Sequence, residues 1–74
     1  MIYNAKMFQK VYIITYADRG INILACQIVG AHVVFGGKIE YLVDHCGARF
    51  LRFSEDIFSS VEEIAQNIKD YVIE

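Results

Sequence analysis

The sequence predicts an α+β fold: an antiparallel β-meander of about five strands, twisted or partly rolled, followed by one C-terminal α-helix packed on the sheet. Three observations carry that expectation. The stretch SSVEEIAQNIKDYV, residues 59–72, sets Val61, Ile64, Ala65, Ile68 and Val72 at spacings of three and four, the period of one helix face turned toward a core. Upstream, β-branched and aromatic residues recur between glycine-containing turns, as strands do. No proline or internal repeat divides the 74 residues, so they read as one domain over 1–74, with an N-terminal arm or irregular strand over 1–9, the meander over 10–53 and the helix over 59–73.

The elements follow in order. Lys10 to Ala17 is apolar or aromatic on both faces, the mark of a strand covered on two sides or curled into a small barrel. Asp18-Arg19-Gly20 is a tight turn, with Gly20 free to take positive φ. Ile21 to Val29 is the second strand, and a bulge near Ala25 and Cys26 would bring Asn22 and Gln27 to one side. Gly30 bends the chain into a short third strand, Ala31 to Phe35. Gly36-Gly37 suits a two-residue primed hairpin turn. Lys38 to Val43 is the fourth strand, with Ile39, Tyr41 and Val43 on one face. Asp44-His45-Cys46-Gly47 turns the chain into the fifth, Ala48 to Phe53. Ile57 and Phe58, in the connection to the helix, are placed to close the end of the core. Two overlapping capping boxes, Ser59 with Glu62 and Ser60 with Glu63, start the helix.

Composition narrows the function. A chain this short buries only about 60% of the surface its unfolded form exposes, yet 55% of its residues are hydrophobic and mean hydropathy is +0.33. The surplus apolar surface calls for a partner, a second copy or another protein, to cover it. No run reaches the roughly 20 apolar residues needed to cross a bilayer, because Asp18, Arg19, Asn22, Gln27, His32 and Lys38 break every candidate. The first residues lack the apolar core of a signal peptide, which points to a cytoplasmic protein with reduced Cys26 and Cys46. The net charge of -2 hides an asymmetry: residues 1–54 carry six basic against three acidic side chains, residues 55–74 one against six.

Catalytic and metal chemistry find little support. Cys26, His32, His45 and Cys46 are zinc-ligand types but lack a paired knuckle spacing, so no metal or other cofactor is expected. Cys46 with a histidine could make a nucleophile pair, yet so short a chain has little room for a pocket, an orienting group and oxyanion donors. Gly36-Gly37 lies between strands rather than before a helix, unlike a phosphate-binding loop. An enzyme is not expected.

Two binding surfaces remain. Glu62, Glu63, Asn67, Asp70 and Glu74 give the outer helix face an acidic stripe suited to a basic protein groove, although helix capping alone also explains Glu62 and Glu63. Lys10, Arg19, Arg49 and Arg52 with Tyr12 and Tyr16 offer an alternative face that pairs phosphates and stacks the bases of single-stranded RNA or DNA. The leading expectation is a small non-enzymatic protein-interaction module, homodimeric through an apolar sheet face or an unpaired edge strand. The short meander followed by an acidic helix resembles small phage or mobile-element proteins that inhibit host defence enzymes by surface occlusion. That resemblance covers architecture alone and implies an inhibitor of a partner protein.

Overall fold

The structure, a computed structural model, describes residues 4–72, with side chains described over residues 4–66. Among the described residues, β1 spans Lys10–Ala17, β2 Gly20–Val33, β3 Ile39–His45 and β4 Ala48–Phe53. A 3-10 turn over Ser54–Asp56 then leads to α1, Val61–Val72. The strands form one open antiparallel sheet in the order β1-β2-β3-β4.

The strand count is therefore four rather than five. Ile21 to Val29 and Ala31 to Phe35, expected as separate strands, run together as the 14-residue β2. Gly30 does not break it, because it pairs with Leu42 and the chain takes up its irregularity one residue earlier, as a bulge at Val29 between the Ile28–Val43 and Gly30–Leu42 pairs. The bulge expected near Ala25 and Cys26 is absent: the ladder with β1 is regular from Lys10–Gln27 to Ala17–Gly20. Asn22 and Gln27 thus stay on opposite faces, and both are exposed: Asn22 because the β1–β2 hairpin projects beyond the end of β3, Gln27 because it lies between Lys10 and Asp44 on the uncovered face.

The turns explain the register. Asp18 and Arg19 are the two residues between the paired Ala17 and Gly20. Cys46 and Gly47 link His45 to Ala48 with φ of 51° and 94°, the double positive φ of a primed two-residue turn. Gly36 and Gly37 also take positive φ, 90° and 83°, but their hairpin is longer than the expected two-residue turn. Val34 N–H donates to the Lys38 carbonyl at 2.8 Å, leaving Phe35, Gly36 and Gly37 in the loop.

Alternation along the strands sorts the side chains into two faces. Val11, Ile13, Cys26, Ile28, Tyr41 and Val43 are buried on one face and, with Ile57, make the core. The opposite face holds no buried strand residue among those described, although Phe58, bridged to Tyr12, is buried at its edge. Chain reach shows how Ile57 gets there. From Phe53 to Phe58 the backbone spans at most about 17 Å, and the 3-10 turn over Ser54–Asp56 shortens that reach, whereas on a flat sheet the four spacings from β4 to the outer side of β1 would cover about 19 Å. The sheet is therefore curled, bringing β4 and β1 toward each other, so that the connection drops Ile57 into the core and pairs Phe58 with Tyr12 on the outer edge of β1, through Tyr12 N–H to Phe58 O at 2.8 Å and Phe58 N–H to Tyr12 O at 2.9 Å. Of the two residues expected to close the core, Ile57 does so at 0% exposure, whereas Phe58, buried at 8%, lies outside that cluster on the Tyr12 side of the sheet.

The helix starts at Val61, two residues later than expected. Ser60 Oγ accepts from Glu63 N–H at 3.2 Å, while the Glu63 carboxylate accepts from Ser59 N–H at 3.1 Å and Ser59 Oγ at 2.9 Å. Of the two capping boxes, the one pairing Ser60 with Glu63 supplies the cap. Ile64 is fully buried, whereas Val61 at 43% and Ala65 are exposed, so the first turns seat the helix by one residue instead of three. Ile68 and Val72 lie outside the described side chains.

Candidate interaction surface

Two parts of the surface are open to a partner: the uncovered sheet face and the unpaired strand edges. Cross-strand pairing places Tyr12 beside Ala25, Ile14 beside Ile23, Tyr16 beside Ile21, Leu42 beside Leu51 and Glu40 beside Phe53 on the uncovered face. Tyr16 is 83% exposed, Leu51 49%, and Ile21 and Ile23 somewhat less. The charges on this face are tied down locally. Arg49 Nε donates to Asp44 Oδ2 at 3.3 Å, His32 Nε2 sits 2.9 Å from Glu40 Oε1, and the Lys10 ammonium lies 5.6 Å from the Tyr12 ring centroid. What remains is two apolar groups, one at the β1–β2 hairpin and one at Leu42 and Leu51, separated by the row of Gln27, Asp44 and Arg49.

Hydrogen bonding fixes the direction of the edges. Because Tyr12 bonds to Phe58, the backbone groups of Ile14 and Tyr16 also point away from β2, and those of Ala25, Ile23 and Ile21 point away from β1. His45 Nδ1 lies 2.8 Å from the Ala25 carbonyl and covers the start of that second edge. Val34 N–H bonds to Lys38, so by the same alternation Ala31 and Val33 turn their backbone groups away from β3. On β4, Arg52 Nη1 donates to the Leu51 carbonyl at 2.8 Å, and Arg49 and Arg52 charge that edge, a device that discourages strand addition.

The residues named from the sequence are dispersed. Tyr12, Tyr16, Lys10 and Arg49 share the uncovered face, Arg19 sits at the β1–β2 turn, and Arg52 lies on the core face with its guanidinium 5.4 Å from the Phe50 ring centroid. The expected nucleic-acid set thus divides between two faces. On the helix, Glu62 is exposed and Glu63 is engaged at the cap. Asn67, Asp70 and Glu74 lie outside the described side chains. Cys26 is buried on the core face, where burial pushes its thiol pKa up against a smaller opposing effect of Arg52, and its Sγ lies 3.6 Å from the Leu24 carbonyl. Cys46 is exposed at a turn, and among the described residues no three His, Cys, Asp or Glu side chains gather as a metal site. No helix among them is long and apolar enough to cross a membrane.

The N-terminal arm and the β2–β3 loop carry exposed apolar groups that the sequence reading passed over. Met7 is 54% exposed, Phe8 65%, Val33 70% and Phe35 104%. The signal for Phe35 was its place beside Gly36-Gly37, since a residue at a glycine turn has no neighbour to roof it. Comparison with family models, curated proteins and solved structures returns no match for this chain.

Proposed function

We propose that this chain is a small non-enzymatic protein-interaction module that associates with itself and acts by covering part of a partner protein's surface. One observation carries the reading: the sheet is roofed on a single face, so every buried strand residue lies there and the opposite face keeps Tyr16, Ile21, Ile23 and Leu51 in water. Full burial of an exposed aliphatic side chain is worth roughly 1.5 to 3 kcal/mol, and because Ile21, Ile23 and Leu51 are already half buried or more, each adds only part of that and an assembly has to cover several together. Paired charges on that face leave it free of the repulsion that would oppose a second copy or a neutral protein surface. Single-stranded nucleic acid is the weaker alternative, because its candidate cations are split between faces and Arg49 is held by Asp44. Sedimentation velocity at micromolar concentration tests the proposal. The expected particle is at least a dimer of the 8.5 kDa chain, and a strictly monomeric particle across that range counts against it.

A further inference from the structure

The C-terminal half of β2 has an open edge whose shape matches its own image. The β1–β2 ladder continues past Lys10 only as far as Phe8 N–H to Ile28 O at 2.8 Å and Ile28 N–H to Gln9 O at 3.0 Å. There Phe8 takes φ of 65°, a left-handed conformation that a bulky residue rarely adopts. Gln27 Nε2 donates to the Phe8 carbonyl at 3.1 Å, and Gln9 N–H donates to the Lys6 carbonyl at 3.0 Å. The turn steers Lys6 and Met7 off the sheet, out of the slot they would otherwise fill beside Ala31 and Val33. Backbone groups of Ala31 and Val33 consequently have no partner among the described residues. No Lys, Arg, Asp, Glu or Pro occurs from Gly30 to Gly37, so this edge lacks the usual protections against strand addition.

We infer that this slot takes the same segment of a second copy of the chain, antiparallel about His32, to give a two-fold dimer with a sheet continuous through both copies. The inference rests on the self-association proposed above and names its surface. In that register Ala31 faces Val33 of the other copy, small against large, and each pair exchanges both backbone hydrogen bonds. Phe35 falls opposite Val29 of the other copy, next to its Met7 and Phe8, just where the Gly36-Gly37 turn leads the strand away from the space Phe8 occupies. The exposed side chains at the two ends of the slot thereby cover one another reciprocally, as an isologous interface requires. Phe8, Phe35, Met7 and Val33 together expose on the order of 500 Å² per copy, taking 150–250 Å² for a whole aromatic side chain. With the backbone strip between them, this approaches the roughly 800 Å² per partner of a standard interface.

Cross-linking in the full chain tests the register. The two copies of position 32 form a non-hydrogen-bonded pair, whose Cα separation of about 4.5 Å lies within disulfide range. In a Cys46→Ser background, His32→Cys is expected to give a covalent, reducible dimer under mild oxidation, whereas Ile23→Cys on the other vacant β2 edge stays monomeric on a denaturing gel. Independently, Val33→Lys should weaken association at least tenfold by sedimentation, with Asn22→Lys, at an exposed position outside both surfaces, within about twofold of the parent and circular dichroism unchanged in both. A dimer that persists undiminished in Val33→Lys, or one that cross-links through position 23 and not 32, overturns this surface while leaving self-association intact. A wild-type chain that never dimerises overturns both.

Discussion

Cys26 and Cys46 show how position alone separates two chemically identical side chains. Cys26 is 4% exposed among Val11, Ile28 and Val43, and burial disfavours its thiolate, the reactive form. Cys46 stands in water at a primed turn. An aromatic disulfide reagent added to native protein at mildly alkaline pH should therefore release one equivalent quickly, from Cys46, and the second only as the chain unfolds. Two equally fast thiols would show that the core face opens far more readily than its packing implies. The sequence pointed to Cys26 as a small buried residue, since cysteine packs as a hydrophobe. It held no comparable hint for Phe8: a positive φ at a phenylalanine is imposed by Ile28, Gln27 and Lys6 through hydrogen bonds, and no local propensity favours it.

Among the elements, α1 is the one whose start depends on named hydrogen bonds. Ser60→Ala removes the acceptor of the Glu63 N–H and should cost about 1 kcal/mol, lowering the melting temperature by roughly 4–8 °C for a domain of this size. Ser59→Ala leaves that bond in place and should cost less, and a reversed order would mean that Ser59 is the cap. Periodicity and capping chemistry made this helix legible to within two residues, and β1 and β4 were legible at their exact bounds from glycine turns and β-branched runs. β2 was not. Gly30 looked like a break because glycine is uncommon inside strands, but here a side chain would meet Leu42 Cβ at 3.5 Å, so the residue sits within the ladder facing a neighbour. The bulge at Val29 changes the parity of the strand, which lets Cys26 and Ile28 share a face with Ala31 and Val33 despite their odd spacing. A period-two reading of the sequence splits such a strand in two. The acidic helix stripe and the basic aromatic set were legible as residue types only, because which face each occupies depends on how the sheet is roofed.

At the scale of the whole molecule, one short crossing makes a four-strand sheet into a folded domain. Ile57 enters the core from that crossing, and Ile57→Ala should cost about 2–5 kcal/mol, a large share of the 5–15 kcal/mol typical of a domain. A urea titration reads this directly as a lower midpoint at constant slope, and a loss under about 1 kcal/mol would show that the crossing is dispensable to the core. The bridge that ends it also bears on how the chain folds. Tyr12 and Phe58 are far apart in sequence, while the three hairpins of the meander are each local. Hairpins can zip within microseconds, but the hydrophobic layer stays unsealed until the segment around position 58 arrives. On a ribosome, a nascent chain arrested before that point would hold strands without a lid, and would be the species most in need of a chaperone.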